Sequence, residues 1–167
     1  MLTISVSSEF SERVPQFRGA FLEATVQNSA TSPKLWAEIE ASCEKLQADF
    51  TTDTIKSRSS IAATRAAYKA CGKDPSRYRP ASEQLSRRVL QGKGLYSVDT
   101  LVDLGNLVSI FSGYPTGLLD ADKIVGKSVE LGIGRADEPY EGIGRGRLNI
   151  EGLPVYRDAV GAIASPT

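Results

Sequence analysis

The chain has 167 residues, 41% of them hydrophobic and 24% charged, with 20 basic and 20 acidic side chains. This is the composition of an ordinary globular protein with enough apolar residues for one core. The balanced charge excludes binding to nucleic acid or membrane through overall charge alone. Because the chain has no histidine, it cannot form a Ser-His-Asp triad, a Cys-His pair or a zinc site with histidine ligands.

The two cysteines, Cys43 and Cys71, are 28 positions apart and form no CxxC motif. A metal knuckle or redox pair is therefore not expected. A disulfide stays open, although two reduced thiols in a cytoplasmic protein are the favoured interpretation. The first residues alternate like a strand and do not resemble an export signal, and no apolar run approaches the roughly 20 residues of a membrane span. We expect a cytoplasmic protein with no membrane partner and no metal, nucleotide or flavin cofactor.

Hydrophobic spacing predicts secondary structure in chain order. A strand is expected over residues 2–6, then a short helix capped by Ser7 or Ser8, then a second strand within residues 17–26. A clear helix follows Ser32, because its apolar residues step by three and four positions. These residues are Trp36, Ile39, Cys43, Leu46 and Phe50.

Three more helical segments are predicted, over residues 54–70, over residues 83–90 and after a cap at Ser97. The last of these has a predicted buried stripe of Leu101, Leu104, Val108 and Phe111. From Lys127 onward the sequence changes to alternating strands and glycine-rich turns. The fold class is therefore α+β, with a mixed or antiparallel sheet flanked by helices in a single domain over residues 1–167.

The tetrapeptide Gly-Ile-Gly-Arg occurs twice, at residues 132–135 and 142–145. Neither copy completes GxGxxG, because Asp137 or Arg147 stands at the place of the last glycine. A hairpin or a bulge is therefore favoured over a dinucleotide site.

The charge is unevenly distributed along the chain. Residues 54–94 contain ten basic and two acidic side chains, a net charge of +8, whereas the segments on either side each carry −4. Arginines beside a tyrosine suit phosphate contact and base stacking. The candidate RNA-binding residues are Arg58, Arg65, Tyr68, Lys69, Arg79, Arg87 and Arg88. The alternative is that these residues pair with acidic groups or anchor loops inside the fold.

A set of motifs in the second half of the chain points to a known family. "RYRP", "EQLSRR", "LVDLGN" and "GYPTGLLD" follow one another between Thr64 and Gly126, and "VYRDAVGAIASPT" comes at the end. In this order they resemble the B3/4 domain of the beta chain of bacterial phenylalanyl-tRNA synthetase, and more closely free-standing proteins built from that domain. In the synthetase this domain removes tyrosine wrongly attached to the phenylalanine tRNA.

The resemblance implies a B3/4-like fold, a tRNA or aminoacyl-tRNA partner and an aminoacyl-tRNA deacylase acting in trans. The alternative is a non-catalytic module of the same fold that binds RNA or an amino acid. Asn106 matches the asparagine that lines the editing pocket of the family. The full set of substrate-binding candidates is Asn106, Gly113, Pro115, Gly117, Ala162 and Ala164.

The resemblance also bears on the shape of the substrate pocket, on the catalytic carboxylate and on a possible partner. Gly117 stands where the family has a histidine, so a tyrosine-shaped pocket is not carried over. Glu151 and Glu138 are the candidates for a catalytic carboxylate, with Glu141 as a further rival. Family members usually continue past residue 167 with more strand and helix. An uncovered last strand would expose a sheet edge that invites a partner or a second copy of the chain.

Overall fold

A computed structural model describes residues 1–144 and 146–167. Within this part of the chain the α-helices are α1 (Ser8–Arg13), α2 (Pro33–Asp49), α3 (Ser59–Ala70), α4 (Ala81–Leu90) and α5 (Thr100–Ser112). The strands are β1 (Thr3–Val6), β2 (Ser128–Ile133), β3 (Glu141–Gly142), β4 (Gly146–Arg147), β5 (Pro154–Arg157) and β6 (Ala162–Ala164). The predicted α+β class is confirmed. Among the described helices, none has the length and apolar composition of a membrane-spanning segment.

The main sheet is mixed and has the strand order β1-β2-β5-β6. β1 runs parallel to β2, whereas the β2–β5 and β5–β6 pairs are antiparallel. β3 and β4 form a separate two-stranded sheet in which Gly142 pairs with Gly146. The second Gly-Ile-Gly-Arg copy therefore lies at a hairpin, as predicted. Its last residue, Arg145, lies outside the described residues.

The internal contacts of the chain group into two compact units. Unit 1 consists of residues 1–25, 66–78 and 119–166, and unit 2 of residues 26–65, 79–118 and 167. Each has its own hydrophobic core. The expectation of a single domain over the whole chain stays a prediction.

Unit 1 contains every described strand together with α1 and the end of α3. The side chain of Ser7 accepts a hydrogen bond from the amide of Phe10 and so caps α1, as predicted. One core cluster consists of Phe10, Val14, Cys71, Leu131 and Ile133. A second consists of Tyr68, Ile150, Leu153 and Val155. Both clusters pack side chains from distant parts of the chain against the sheet or its connecting turns.

Unit 2 is helical, and α2 packs against α4 and α5. Ser32 caps α2 and Pro33 opens it, in agreement with the predicted helix start. The predicted stripe of α2 faces inward, because Ile39 and Leu46 are buried and Cys43 and Phe50 border the core. The core cluster consists of Leu46, Ile55, Ile61, Val89 and Ile110.

The strand predicted within residues 17–26 is wrong. The structure forms no strand over these residues, and Leu22 and Val26 are exposed. Alternating apolar and polar side chains over five residues do not form a strand unless a neighbouring strand pairs with that segment.

The predicted start and buried face of α5 are also wrong. Asp99 caps the helix by accepting a hydrogen bond from the amide of Val102, two residues beyond the expected Ser97. Leu104 is 44% exposed and Phe111 is 72% exposed. The buried residues of α5 are Asp103, Gly105, Ser109 and Ile110. The helix packs mainly through short side chains, and a count of apolar spacings assigns such residues to the solvent face.

Candidate functional site

Asn106 lies on α5, half-buried, and its side chain forms no hydrogen bond with another described residue. The helix is held one turn earlier by the buried carboxylate of Asp103. This group accepts hydrogen bonds from the hydroxyls of Thr31 and Ser97 and from the amide of Val98. Burial raises the pKa of Asp103, but the three hydrogen bonds outweigh that effect and the pKa is lowered overall. An anchored helix therefore presents an amide that is available to a ligand.

The segment after α5 folds back onto the helix. Gly113 ends α5 with φ of 76°, and a Cβ there would collide with the hydroxyl of Ser60. A Cβ on Gly105 would lie 3.1 Å from Leu118, so the missing side chain lets the returning segment approach. Gly117 is exposed, with no atom within 4 Å of the position of an added Cβ. The loop candidates Gly113, Pro115 and Gly117 therefore belong to the same helix-and-loop region of unit 2 as Asn106.

The other two small candidates, Ala162 and Ala164, belong to unit 1. Both lie half-buried on β6, opposite Arg157 and Tyr156 of β5. Ala162 also packs against the core cluster around Tyr68. The two alanines are thus part of the outer strand of the four-stranded sheet.

Glu138 is bound on both carboxylate oxygens. Nε and Nη2 of Arg157 each donate to one of them at 2.6 Å, and the amide of Arg135 donates to Oε2 at 2.8 Å. The hydrogen bonds from Arg157 hold the pKa of Glu138 below its usual value, although burial opposes them. A carboxylate held this firmly in its charged form is a weak base toward water. The other catalytic candidate, Glu151, is exposed.

Glu151 is exposed on an open cleft of unit 1 with a volume of about 580 Å³. The backbone of Glu151 is fixed on both sides. Its amide donates to Oδ1 of Asn149 at 3.0 Å, and its carbonyl accepts from Nζ of Lys73 at 2.6 Å. The turn that carries the carboxylate is therefore held in place while the side chain stays accessible.

Lys73 is the residue that sequence reasoning missed, since it counted there only as one of ten basic residues. Lys73 is only 9% exposed, and its ammonium also donates to the carbonyl of Asn149 at 3.1 Å. The same ammonium lies 4.1 Å from the centre of the Tyr78 ring. Burial lowers the pKa of Lys73, an effect that the charge of Glu151 opposes. No sequence pattern signals this contact, because its partners lie more than 70 positions away.

Comparison with sequence models of protein families identifies the family of this chain. The sequence model of the B3/4 domain matches residues 63–167, which is well over half of the chain. The chain belongs to the B3/4 domain family. The family is related to tRNA synthetases, and the match starts one residue before Thr64, where the motif resemblance begins. Comparison with curated proteins and with solved structures gave no match.

Two of the candidate RNA-binding arginines of this B3/4 protein pair with a buried acid. Nη1 of Arg65 and Nε of Arg87 each lie 2.9 Å from an oxygen of Glu83, which is completely buried. Arg87 also donates to the carbonyl of Thr52 at 2.8 Å. These contacts fit the alternative in which the arginines anchor the fold, because they neutralise a charge that is shielded from water.

The remaining candidates of the B3/4 protein divide by exposure. Arg58 donates to the last carbonyls of α5, those of Ile110 and Phe111, at 2.8 and 2.6 Å. Half-buried Arg88 lies over the ring of Tyr96, and Tyr68 is completely buried. Only Lys69 and Arg79 of the candidate set are exposed. Contact with RNA stays a prediction for the whole set.

Proposed function

We propose that this B3/4 protein binds aminoacyl-tRNA and hydrolyses the ester of a wrongly charged tRNA in trans. The observation that carries the proposal is the family match over residues 63–167, which includes Asn106 with its unbonded amide. A side-chain amide both donates and accepts hydrogen bonds, so it suits an ester carbonyl or an attacking water.

Hydrolysis of an aminoacyl ester needs few catalytic groups on the protein, because the ester is already activated. Positioning a water molecule and stabilising the oxyanion with backbone N–H groups are sufficient in principle. The neighbouring ribose hydroxyl of the substrate can assist, which suits a chain without histidine. Within unit 1, Glu151 stays the candidate for a catalytic carboxylate.

The test is release of amino acid from a panel of mischarged tRNAs. Wild-type protein is compared with Asn106→Ala and with Gln91→Ala, an exposed control at the end of α4. We expect wild type and the control to release one amino acid, and Asn106→Ala to be at least tenfold slower with an unchanged circular dichroism spectrum. Absence of release across the panel by folded wild type would overturn the hydrolase proposal.

The second candidate function is a non-catalytic module that binds tRNA. The observation in its favour is Gly117, which is exposed and carries no functional group at the place of the family's histidine. A gel shift with the same charged tRNAs separates the two functions. A gel shift without amino-acid release supports the binding module. If neither a gel shift nor amino-acid release is seen, both proposed functions are contradicted.

We further propose that the free edge of β6 pairs with a second copy of the chain. β6 is an outer strand of the sheet, and an unpaired edge presents backbone donors and acceptors to a partner strand. Light scattering after size exclusion should give twice the monomer mass, and replacing Ile163 with Pro should return the monomer. A wild-type monomer at all concentrations contradicts this proposal.

A further inference from the structure

The outward side of α5 carries an apolar stripe that the proposed function does not use. Leu101, Leu104, Val108 and Phe111 follow one another in steps of three, four and three, so they lie along one side of the helix. Leu104, Val108 and Phe111 are exposed, and Leu101 is half-buried. The helix therefore turns to solvent the stripe that its sequence pattern assigns to a buried interface.

This side of α5 carries no charge. Asp103 is the only charged residue in the sequence of the helix, and its carboxylate is buried and bound to three donors away from the stripe. A helix with one side in water normally carries charged residues on that side. Single exposed apolar residues are common, whereas a continuous uncharged stripe is typical of a surface that another molecule covers.

Leu118 makes the stripe wider. A Cβ on Gly105 would lie 3.1 Å from Leu118, which is itself exposed. Gly105 is one turn from Leu101 and from Val108 on the helix surface, so Leu118 borders the stripe there. We refer to the following five residues of unit 2 as the α5 face: Leu101, Leu104, Val108, Phe111 and Leu118.

The size of the α5 face limits what covers it. Five apolar side chains with these exposures present on the order of 500 Å² of surface, near the upper end for the largest patch of a monomeric protein. Two such faces would bury about 1,000 Å² together, whereas a stable interface buries about 1,200 to 2,000 Å². The α5 face alone is therefore too small for a permanent dimer. Its length of about 15 Å, from Leu101 to Phe111, matches one helix.

We propose that the α5 face is a docking surface for one amphipathic helix of a partner protein. Steps of three and four residues form the seam through which two helices pack, each with apolar residues at the same period. The partner helix presents an uncharged apolar stripe, because a charge placed against this face would lose its water and find no counter-charge. Phe111 is the expected anchor, since aromatic side chains contribute strongly to such interfaces.

The helix that carries the face is held in place before any partner binds. Asp99 caps its first turn by accepting from the amide of Val102. At the other end, Arg58 donates to the carbonyls of Ile110 and Phe111 at 2.8 and 2.6 Å. A preorganised surface loses less entropy when a partner binds.

The experiment titrates the ¹⁵N-labelled full chain with a synthetic helical peptide and follows the amide signals by NMR. The peptide carries leucine in steps of three and four, with alanine, glutamate and lysine elsewhere. A second peptide has the same composition in an order that forms no stripe. Gly105 on α5 and Gly113 at its end report binding, and Gly134 and Gly152 of unit 1 serve as internal controls. We expect the striped peptide to shift the signals of Gly105 and Gly113, and the second peptide to bind at least tenfold more weakly.

The variants are Leu104→Glu and Phe111→Glu, with Leu22→Glu as a matched control on an exposed leucine of unit 1. Each face variant should keep the circular dichroism spectrum of wild type and bind the striped peptide at least tenfold more weakly. The control should bind as wild type does. The proposal is overturned if millimolar striped peptide shifts neither reporter signal, if the second peptide binds equally well, or if both face variants keep full affinity.

Two other occupants of the α5 face would also overturn the proposal. Reporter signals that move with protein concentration alone in Ile163→Pro would assign the face to a second copy of the chain. Sedimentation of wild type with vesicles of phosphatidylcholine and phosphatidylglycerol, lost in Phe111→Glu, would assign it to a lipid surface. Asn106 is two positions from Leu104 and from Val108, on the other side of the helix, and the titration contains no tRNA. The outcome is therefore independent of the proposed hydrolysis.

Discussion

Arg157 and Glu138 face each other through two hydrogen bonds of 2.6 Å, and both side chains are only 12% exposed. Nη2 of Arg157 also donates to the carbonyl of Ile133 at 2.7 Å. The arginine therefore links β5 to the end of β2 and to the turn that follows it. A charge pair that is largely removed from water holds this part of unit 1 together.

Replacing Glu138 with Gln should lower the free energy of unfolding by about 3 kcal/mol, because it leaves the charge of Arg157 buried without a partner. Urea denaturation measures the change. Glu141→Gln, on the exposed hairpin, is the control and should stay within about 0.5 kcal/mol of wild type. Equal stabilities of the two variants would show that the pair contributes little.

Acid should destabilise the protein through Glu138 and Asp103. The folded-state pKa of each is lowered, so each contributes stability that is complete above its unfolded pKa of about 4. That stability is lost as the pH falls through the folded pKa. The thermal midpoint, measured from pH 7 down to pH 3, should fall less steeply for Glu138→Gln than for wild type. Parallel curves would contradict the contribution of Glu138.

Replacing Asp103 with Asn should lower the free energy of unfolding by about 2 kcal/mol. The amide NH₂ of asparagine cannot accept, so the hydroxyls of Thr31 and Ser97 must turn round and accept from it, and the bonds to a charged acceptor become weaker neutral ones in a buried place. Calorimetry of this variant is compared with Asp122→Asn, an exposed control. A loss no larger than that of the control would mean that the neutral bonds hold the helix as well as the charged ones do.

Replacing Lys73 with Met should loosen the turn of residues 149–152 while the apolar stem of the side chain is kept. We expect a loss of about 1 to 3 kcal/mol in unfolding free energy, because two carbonyls lose their donor. Hydrogen exchange at the amide of Glu151 should become faster. In Lys69→Met, an exposed control on α3, that exchange rate should stay at the wild-type value.

Exposed and anchored cations should behave differently toward tRNA. Lys69→Ala combined with Arg79→Ala should weaken binding at low salt and reduce the slope of log affinity against log salt by about 1 to 2, with stability unchanged. Arg65→Ala should instead destabilise the fold, because it removes a partner of buried Glu83. Filter binding at several salt concentrations, with urea denaturation beside it, tests both statements. Full affinity of the double variant would exclude these two residues as phosphate contacts.

Much of the fold follows from local patterns in the sequence. The start of α2 at Ser32 and its inward stripe follow from the cap and the spacing, and both are confirmed. α5 could not be oriented in the same way, since its buried face carries Gly105 and Ser109. The shape of the neighbouring elements determines which face of such a helix is buried. The spacing of apolar residues in the sequence does not indicate that shape.

The candidate site, too, could be predicted from the sequence only in part. The motif that contains Asn106 can be recognised from the sequence alone, and the family match confirms the family that the motif indicates. The contrast between Glu138 and Glu151 is not readable, because it depends on Arg157, which lies 19 positions from Glu138, and on Lys73, which lies 78 positions from Glu151. Long-range ion pairs and anchors appear only once the chain is folded.

The parallel pairing of β1 with β2 has a consequence for how the protein is made. Thr3 pairs with Ser128, so the first strand leaves the ribosome about 125 residues before its partner. The helices of unit 2 come from residues between these strands, and the helices that pack against α2, namely α4 and α5, lie closer to it along the chain than β2 lies to β1. Closing such a long loop is slow, and unpaired strands aggregate readily. Chains stalled before residue 128 should therefore recruit chaperones through β1, and refolding of unit 1 should lag behind that of unit 2.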